Sequence, residues 1–227
     1  MKFIIATLKS WNIELAKILK EQVSIQHEMI IIDDKMDLKL DKIKSFNPDY
    51  IFFPHWSYII PKEIFENYTC IVFHMTDLPF GRGGSPLQNL IVRGMKETKI
   101  SAIKVEEEID SGPVYLKEYL SLSGSAEEIY RRASKIIFNK MIPLFLDNSL
   151  QPSAQQGEIV YFKRRTDMES KLEQQMTLEK IYDYIRMLDA EGYPNAYIPF
   201  GKYKLKFKNA RFEGKRIRAE VDIVENE

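Results

Sequence analysis

Apolar residues along this chain fall into two alternating patterns. Short runs, unbroken or alternating, occupy residues 2–7, 28–32, 49–53, 70–74, 100–105 and 115–120 and predict strands. Between several of them the apolar positions recur at helical spacing. Ile13 and Ala16, with Leu15 or Leu19, follow a Ser10-Trp11-Asn12 start; Leu38, Ile43 and Phe46 form a weaker set; Leu87, Leu90 and Ile91 form a third. Strands and helices in this order predict an α/β fold, a mostly parallel sheet with helices on its faces. The run Asp49-Tyr50-Ile51-Phe52-Phe53 is nearly all apolar, as a strand covered on both faces is, and so is placed at the centre.

Local signals add boundaries. Ser85-Pro86-Leu87-Gln88 reads as an N-cap serine, a proline at the first helical position and a Gln88 that closes a capping box, with Gly94 ending the helix. Residues 125–146 predict a helix with Ile129, Ala133, Ile136, Ile137 and Met141 inward, ended or kinked by Pro143. From 148 to 157 the composition turns to Asn, Ser, Pro, Gln and Gly, a linker signature. The expected division is therefore a main domain over residues 1–150 and a small C-terminal region over 151–227. The latter holds a helix over 177–188 and paired strands over 203–212 and 217–224.

Charge and cysteine usage narrow the function. Among the 227 residues, 33 Lys and Arg balance 33 Asp and Glu, which weakens a nucleic-acid reading without excluding a local basic patch. The apolar start is too short for a signal peptide and no run approaches membrane-spanning length, so a cytoplasmic protein with no membrane partner is expected. Cys70 is the only cysteine, which leaves no internal disulfide or cysteine zinc site; no metal is expected. The connection after the first strand, Leu8-Lys9-Ser10, lacks Gly-x-Gly-x-x-Gly, against a dinucleotide cofactor.

Candidate chemistry gathers between Phe73 and Pro113. A strand delivers His74 to its tip, a loop with Gly81, Arg82, Gly83 and Gly84 follows, and Asp110-Ser111-Gly112-Pro113 forms a tight turn. Each feature also has a plain structural reading: a satisfied buried histidine, an ordinary glycine turn, a turn aspartate. The same holds for His55, Trp56, Ser57 and Tyr58 beyond the strand at 49–53, which are cleft residues or a packed loop. Lys163, Arg164 and Arg165 are a phosphate contact or a solvated loop.

The whole pattern resembles the formyltransferases that use 10-formyltetrahydrofolate. It rests on His74, Leu78-Pro79, Arg82-Gly83, Ser85-Pro86-Leu87-Gln88 and Asp110-Ser111-Gly112-Pro113-Val114. Upstream it takes in Asn47-Pro48-Asp49 and Ile60-Pro61, and downstream Tyr161 to Arg165 and Ile185 to Asp189. The short C-terminal region looks closest to the sugar-nucleotide N-formyltransferases. The resemblance implies a Rossmann-like formyltransferase core and transfer of a formyl group from 10-formyltetrahydrofolate, a co-substrate, to the amine of an amino-sugar nucleotide in surface-glycan synthesis. His74 would donate to the developing oxyanion, and Asp110 would orient it and take the amine proton.

In that reading Gly81, Arg82, Gly83, Gly84, Ile109, Ser111 and Gly112 hold the folate. Trp56, Ser57, Tyr58, Gln88 and Lys163 to Arg165 meet the acceptor. The alternatives are a methionyl-tRNA-type acceptor, against which the neutral charge counts, and a folate-binding member without catalysis. The family usually carries an asparagine two residues before the histidine; here that position is Val72, and His55 is the first choice to compensate. The C-terminal strands would cover the core or pair across a homodimer.

Overall fold

The computed structural model describes residues 1–225. In chain order they form β1 (Lys2–Ala6), α1 (Ser10–Val23), β2 (Glu28–Ile32), α2 (Leu40–Phe46), β3 (Tyr50–Phe53), α3 (Lys62–Phe65), β4 (Cys70–His74), β5 (Phe80–Gly83) and α4 (Pro86–Val92). There follow β6 (Glu97–Lys104), β7 (Val114–Ser121), α5 (Ala126–Ile136), α6 (Ile142–Asp147), β8 (Val160–Phe162), α7 (Leu178–Arg186), β9 (Ala196–Phe200), β10 (Tyr203–Phe212) and β11 (Ile217–Glu225). Contacts divide them into two compact units interleaved in sequence. One comprises residues 1–82, 99–120 and 131–161; the other comprises 83–98, 121–130 and 162 onward.

The fold is α/β, built on a mostly parallel sheet of order β2-β1-β3-β4-β6-β7. Strands β2, β1, β3 and β4 run parallel, and β6 is antiparallel to β4. The apolar β3 lies between β1 and β4, as its composition predicts. Because side chains alternate along a strand, Ile4, Ala6, Ile51 and Phe53 join Ile32, Ile43, Ile64 and Cys70 in one core cluster. Phe52 meets Phe3 and, with Tyr115, the ring of Phe145. Burial raises the Cys70 thiol to about 12, which leaves it protonated and inert.

Several expectations need correction. The helix over 125–146 is three pieces: α5, a π-helical stretch Ile137–Met141, and α6, in whose first turn Pro143 sits. A widened turn here accommodates a residue that lacks an N–H. Ser85 does not cap α4 with its side chain, and no capping box forms there. Ser85 is left-handed, with φ +49°; its Oγ accepts from the Arg165 N–H, and Gln88 turns inward. The C-terminal end of α4 is as expected, with Gly94 at φ +75° and its N–H on the Ile91 carbonyl.

In the second unit β9, β10 and β11 form an antiparallel sheet, against which α7 packs. Among the described residues no helix is long and apolar enough to cross a membrane.

Candidate active site

The site in the first unit starts from the end of β4. Val72 is the last residue of that strand to pair with β3, opposite Phe53, so His55 and His74 each lie two positions beyond the same rung. His55 lies beyond β3, and His74 is the last residue of β4, still paired with Ser101 of β6; both stand at the carboxyl end of the parallel strands, where ligands of open α/β sheets bind. Beyond His74 the chain turns back, with Ser101 Oγ accepting from the Leu78 N–H and donating to the Thr76 carbonyl. Gly81 returns beneath the histidine with φ +82°.

His74 is held at both ring nitrogens. Nε2 lies 2.8 Å from the Gly81 carbonyl oxygen, which can only accept, so Nε2 carries a proton. Nδ1 lies 3.4 Å from Asp110 Oδ2, an ion-pair contact between side chains only 10 and 14% exposed. With Nε2–H committed to Gly81, an ionised Asp110 is met attractively only if Nδ1 is also protonated. The expected His74–Asp110 pair is thus brought together from elements 36 positions apart.

The Asp110 turn is tightly determined. Asp110 is left-handed, with φ +56°. A Cβ added at Gly112 would stand 1.8 Å from the Lys104 carbonyl oxygen, so only glycine lets the turn approach β6 this closely. Ile109 is exposed at the rim.

Gln155, inside the segment read as linker, is the residue that sequence reasoning passed over. Its Nε2 donates to the carbonyls of Asp110 and Gly112, each at 2.8 Å. Its Oε1 accepts from Arg82 Nε at 3.1 Å and Nη2 at 2.9 Å. Arg82 is buried, and its Nη1 faces Glu108, whose carboxylate also accepts from the Tyr161 hydroxyl. The segment is itself fastened to the core by paired backbone bonds between Val114 and Ser153. Nothing in a stretch of Asn, Ser, Pro, Gln and Gly marks one amide among the others.

Val72 packs against Leu78, Ile103 and Val114, so the strand offers an apolar methyl face where a polar donor was sought. His55, the expected substitute, has φ +55° and lies edge-on to Trp11 with ring centroids 6.0 Å apart. Burial first and the nearby Lys9 charge second lower it to about 4, so it is neutral at pH 7. An unfolded histidine takes its proton near 6.5, so below that pH the unfolded chain binds more protons and stability falls as pH drops towards 4. The loss is on the order of 3 kcal/mol. Urea midpoints measured from pH 7 to pH 4 should show this decline, and it should be flatter in His55→Phe.

Trp56 packs on Phe53 and Tyr58, while Ser57 and Tyr58 are exposed beyond β3. The remaining expected residues lie in the second unit. A Cβ at Gly83 would stand 2.5 Å from the Phe162 carbonyl oxygen, and one at Gly84 would stand 2.6 Å from Arg164 Cβ. Both glycines thus serve close backbone packing. Gln88 is 2% exposed and donates to the Tyr130 hydroxyl and the Met187 carbonyl, so its amide lies inside the core of the second unit. Arg165 is engaged with Glu169 and Tyr184, whereas Lys163 and Arg164 are exposed.

Comparison with known proteins follows the same lines. The sequence pattern of the formyl transferase family matches residues 24–142, and that of the methionyl-tRNA formyltransferase C-terminal domain matches residues 167–224. A solved structure titled methionyl-tRNA formyltransferase, from Clostridium thermocellum, is 57% identical, covers all of both chains and superposes with a TM-score of 0.98. The methionyl-tRNA formyltransferase of Bacillus cytotoxicus is 32% identical over 165 residues, 69% of this chain and 52% of its own. The chain thus spans about half the length of that relative. A sugar N-formyltransferase from Shewanella, 18% identical with a TM-score of 0.67 over 92% of this chain and 96% of its own, shares the fold.

Proposed function

The chain belongs to the formyl transferase family, and from that premise we propose that it moves a formyl group from 10-formyltetrahydrofolate to the amine of methionyl-tRNA. The observation that carries the acceptor is the 57% identical solved structure bearing that title, matched over all of both chains. The amino-sugar nucleotide expected from the short C-terminal region has only a shared fold behind it, at 18% identity.

The folate supplies the formyl carbon. The groups of this chain fit such a donor on one observation: the backbone of the Asp110 to Gly112 turn is held rigid beside the His74–Asp110 pair, with Ile109 exposed at its rim. The acceptor amine attacks the formyl carbon only when neutral; as the bond from that carbon to the donor's nitrogen breaks, the Asp110 carboxylate would take the proton the amine sheds and return one to the leaving nitrogen. In its protonated form His74 would stabilise the negative charge that grows on the formyl oxygen. Direct donation from Nε2 requires the ring to exchange the Gly81 carbonyl for that oxygen, one N–H···O bond for another.

A neutral total charge does not preclude an RNA partner, because charge is local. Lys204, Lys206 and Lys208 project from one face of β10, two residues apart. Of these, Lys208 is paired with Asp222. Lys204→Glu and Lys206→Glu should each weaken tRNA binding and reduce the slope of log affinity against log salt by about 1. Filter binding between 50 and 200 mM salt measures this; unchanged slopes would remove the stripe as the contact.

The deciding assay incubates the protein with 10-formyltetrahydrofolate and either methionyl-tRNA or a panel of amino-sugar nucleotides, and reads the formylated product by mass. Formylmethionyl-tRNA as the sole product supports the proposal. A formylated sugar nucleotide with no formylmethionyl-tRNA reverses the choice of acceptor.

A further inference from the structure

We propose that Gln155 is a positioning residue for the His74–Asp110 pair, closing a ring of polar contacts that sets the distance between imidazole and carboxylate. The ring has four links. His74 Nε2 donates to the Gly81 carbonyl; the next residue, Arg82, donates twice to Gln155 Oε1; Gln155 Nε2 donates to the Asp110 carbonyl; and the Asp110 carboxylate faces His74 Nδ1. Gln155 is the one member that comes from outside the stretch between Phe73 and Pro113.

Its chemistry suits the role. A primary amide has two donor hydrogens and one oxygen with two lone pairs, and here all four are used. The amide cannot be turned over: exchanging O and N would set its hydrogens against Arg82 and its oxygen against two carbonyls. The two carbonyls it binds belong to Asp110 and Gly112, which flank the turn. A left-handed aspartate persists only where its surroundings over-determine it, and the two bonds from Gln155 add to the determination that the close approach of Gly112 to β6 already gives. Without them the Asp110 backbone relaxes, and its carboxylate loses the 3.4 Å contact with His74 Nδ1. Among the described residues the hydrogen bonds of its side chain go to the Asp110 and Gly112 carbonyls and to Arg82, so it acts through Asp110.

The role rests on the formyl-transfer reading of the pair, but it can be tested apart from it. Gln155→Glu keeps both acceptors for Arg82 and replaces the donors with an oxygen that repels the Asp110 and Gly112 carbonyls. Gln155→Leu removes both functions. The first readout is the ¹⁵N ring signals of the three histidines, recorded at fixed pH with no substrate and assigned with His27 and His55 variants. In both variants the His74 signals should move towards those of Asp110→Asn, while His27 and His55 stay in place.

The second readout is turnover. In Gln155→Glu kcat should fall by roughly tenfold to a hundredfold, the scale of a small misplacement of catalytic groups, with the acceptor KM changed far less. His74 signals unchanged in Gln155→Glu would overturn the inference, since Arg82 anchoring alone would then be the amide's job. Equal displacement of all three histidines, or loss of the circular-dichroism signal in both variants, would overturn it too, by making Gln155 a fold element. If the wild-type protein formylates no acceptor, the ring signals still decide the matter.

Discussion

Asp110→Asn is expected to reduce the single-turnover rate of formyl transfer by about 10²- to 10⁴-fold, the range for loss of a positioned acid or base. The amide has nearly the shape of the carboxylate, and the backbone bonds that hold the turn go to main-chain oxygens. Circular dichroism and the urea midpoint should therefore change little, separating chemistry from folding. The amide cannot take the amine proton, and it places no charge opposite His74 Nδ1. His74→Ala should fall in the same range. In the proposed mechanism the two side chains act as a unit, so the double variant should be scarcely slower than the slower single one. Full additivity of the two losses would show that the groups work independently and would break the mechanism proposed above.

Gly112→Ala is expected to be the most damaging single-methyl change in the first unit. Its Cβ would stand 1.8 Å from the Lys104 carbonyl oxygen and 2.9 Å from the carbonyl carbon, both main-chain atoms of β6. Overpacking usually costs about 1–3 kcal/mol, and rigid backbone on the far side puts this case at or above the upper end. The turn can escape only by lifting away from β6, which would carry Asp110 from His74. Loss of stability and loss of activity should therefore appear together. The control is Gly94→Ala, where nothing lies within 4 Å but φ is +75°. Its cost should be confined to the conformational penalty of about 1 kcal/mol, with turnover retained. Urea unfolding followed by an activity assay of the folded protein checks both; a Gly112→Ala protein as stable as wild type would show that β6 yields.

Local and periodic information determined much of this protein by itself. Runs of apolar residues with a period of two, interleaved with a period near four, specified the α/β class, because a strand or helix must bury its apolar face wherever it lies in the chain. Composition alone placed β3 inside the sheet. The left-handed end of α4 at Gly94 was equally legible, since it depends on one residue and its neighbours. His74 and Asp110 were legible as candidates for the same reason: a strand tip and a turn are local features.

Other features belong to tertiary structure alone. The capping box at Ser85 has the right letters, yet Ser85 Oγ meets the Arg165 N–H, 80 positions away, and Gln88 finds Tyr130 and Met187. A long-range partner thus displaced a local one. Gln155 sits in a stretch whose composition signals a linker, and its value comes from two carbonyls more than 40 positions upstream. Val72 could be read as a missing donor, but only packing reveals that Leu78, Ile103 and Val114 surround it. Patterns of period and turn chemistry act over a few residues, whereas a side chain's hydrogen-bond partner is whichever group the fold brings within about 3 Å. That choice is made by the assembled sheet and its connections.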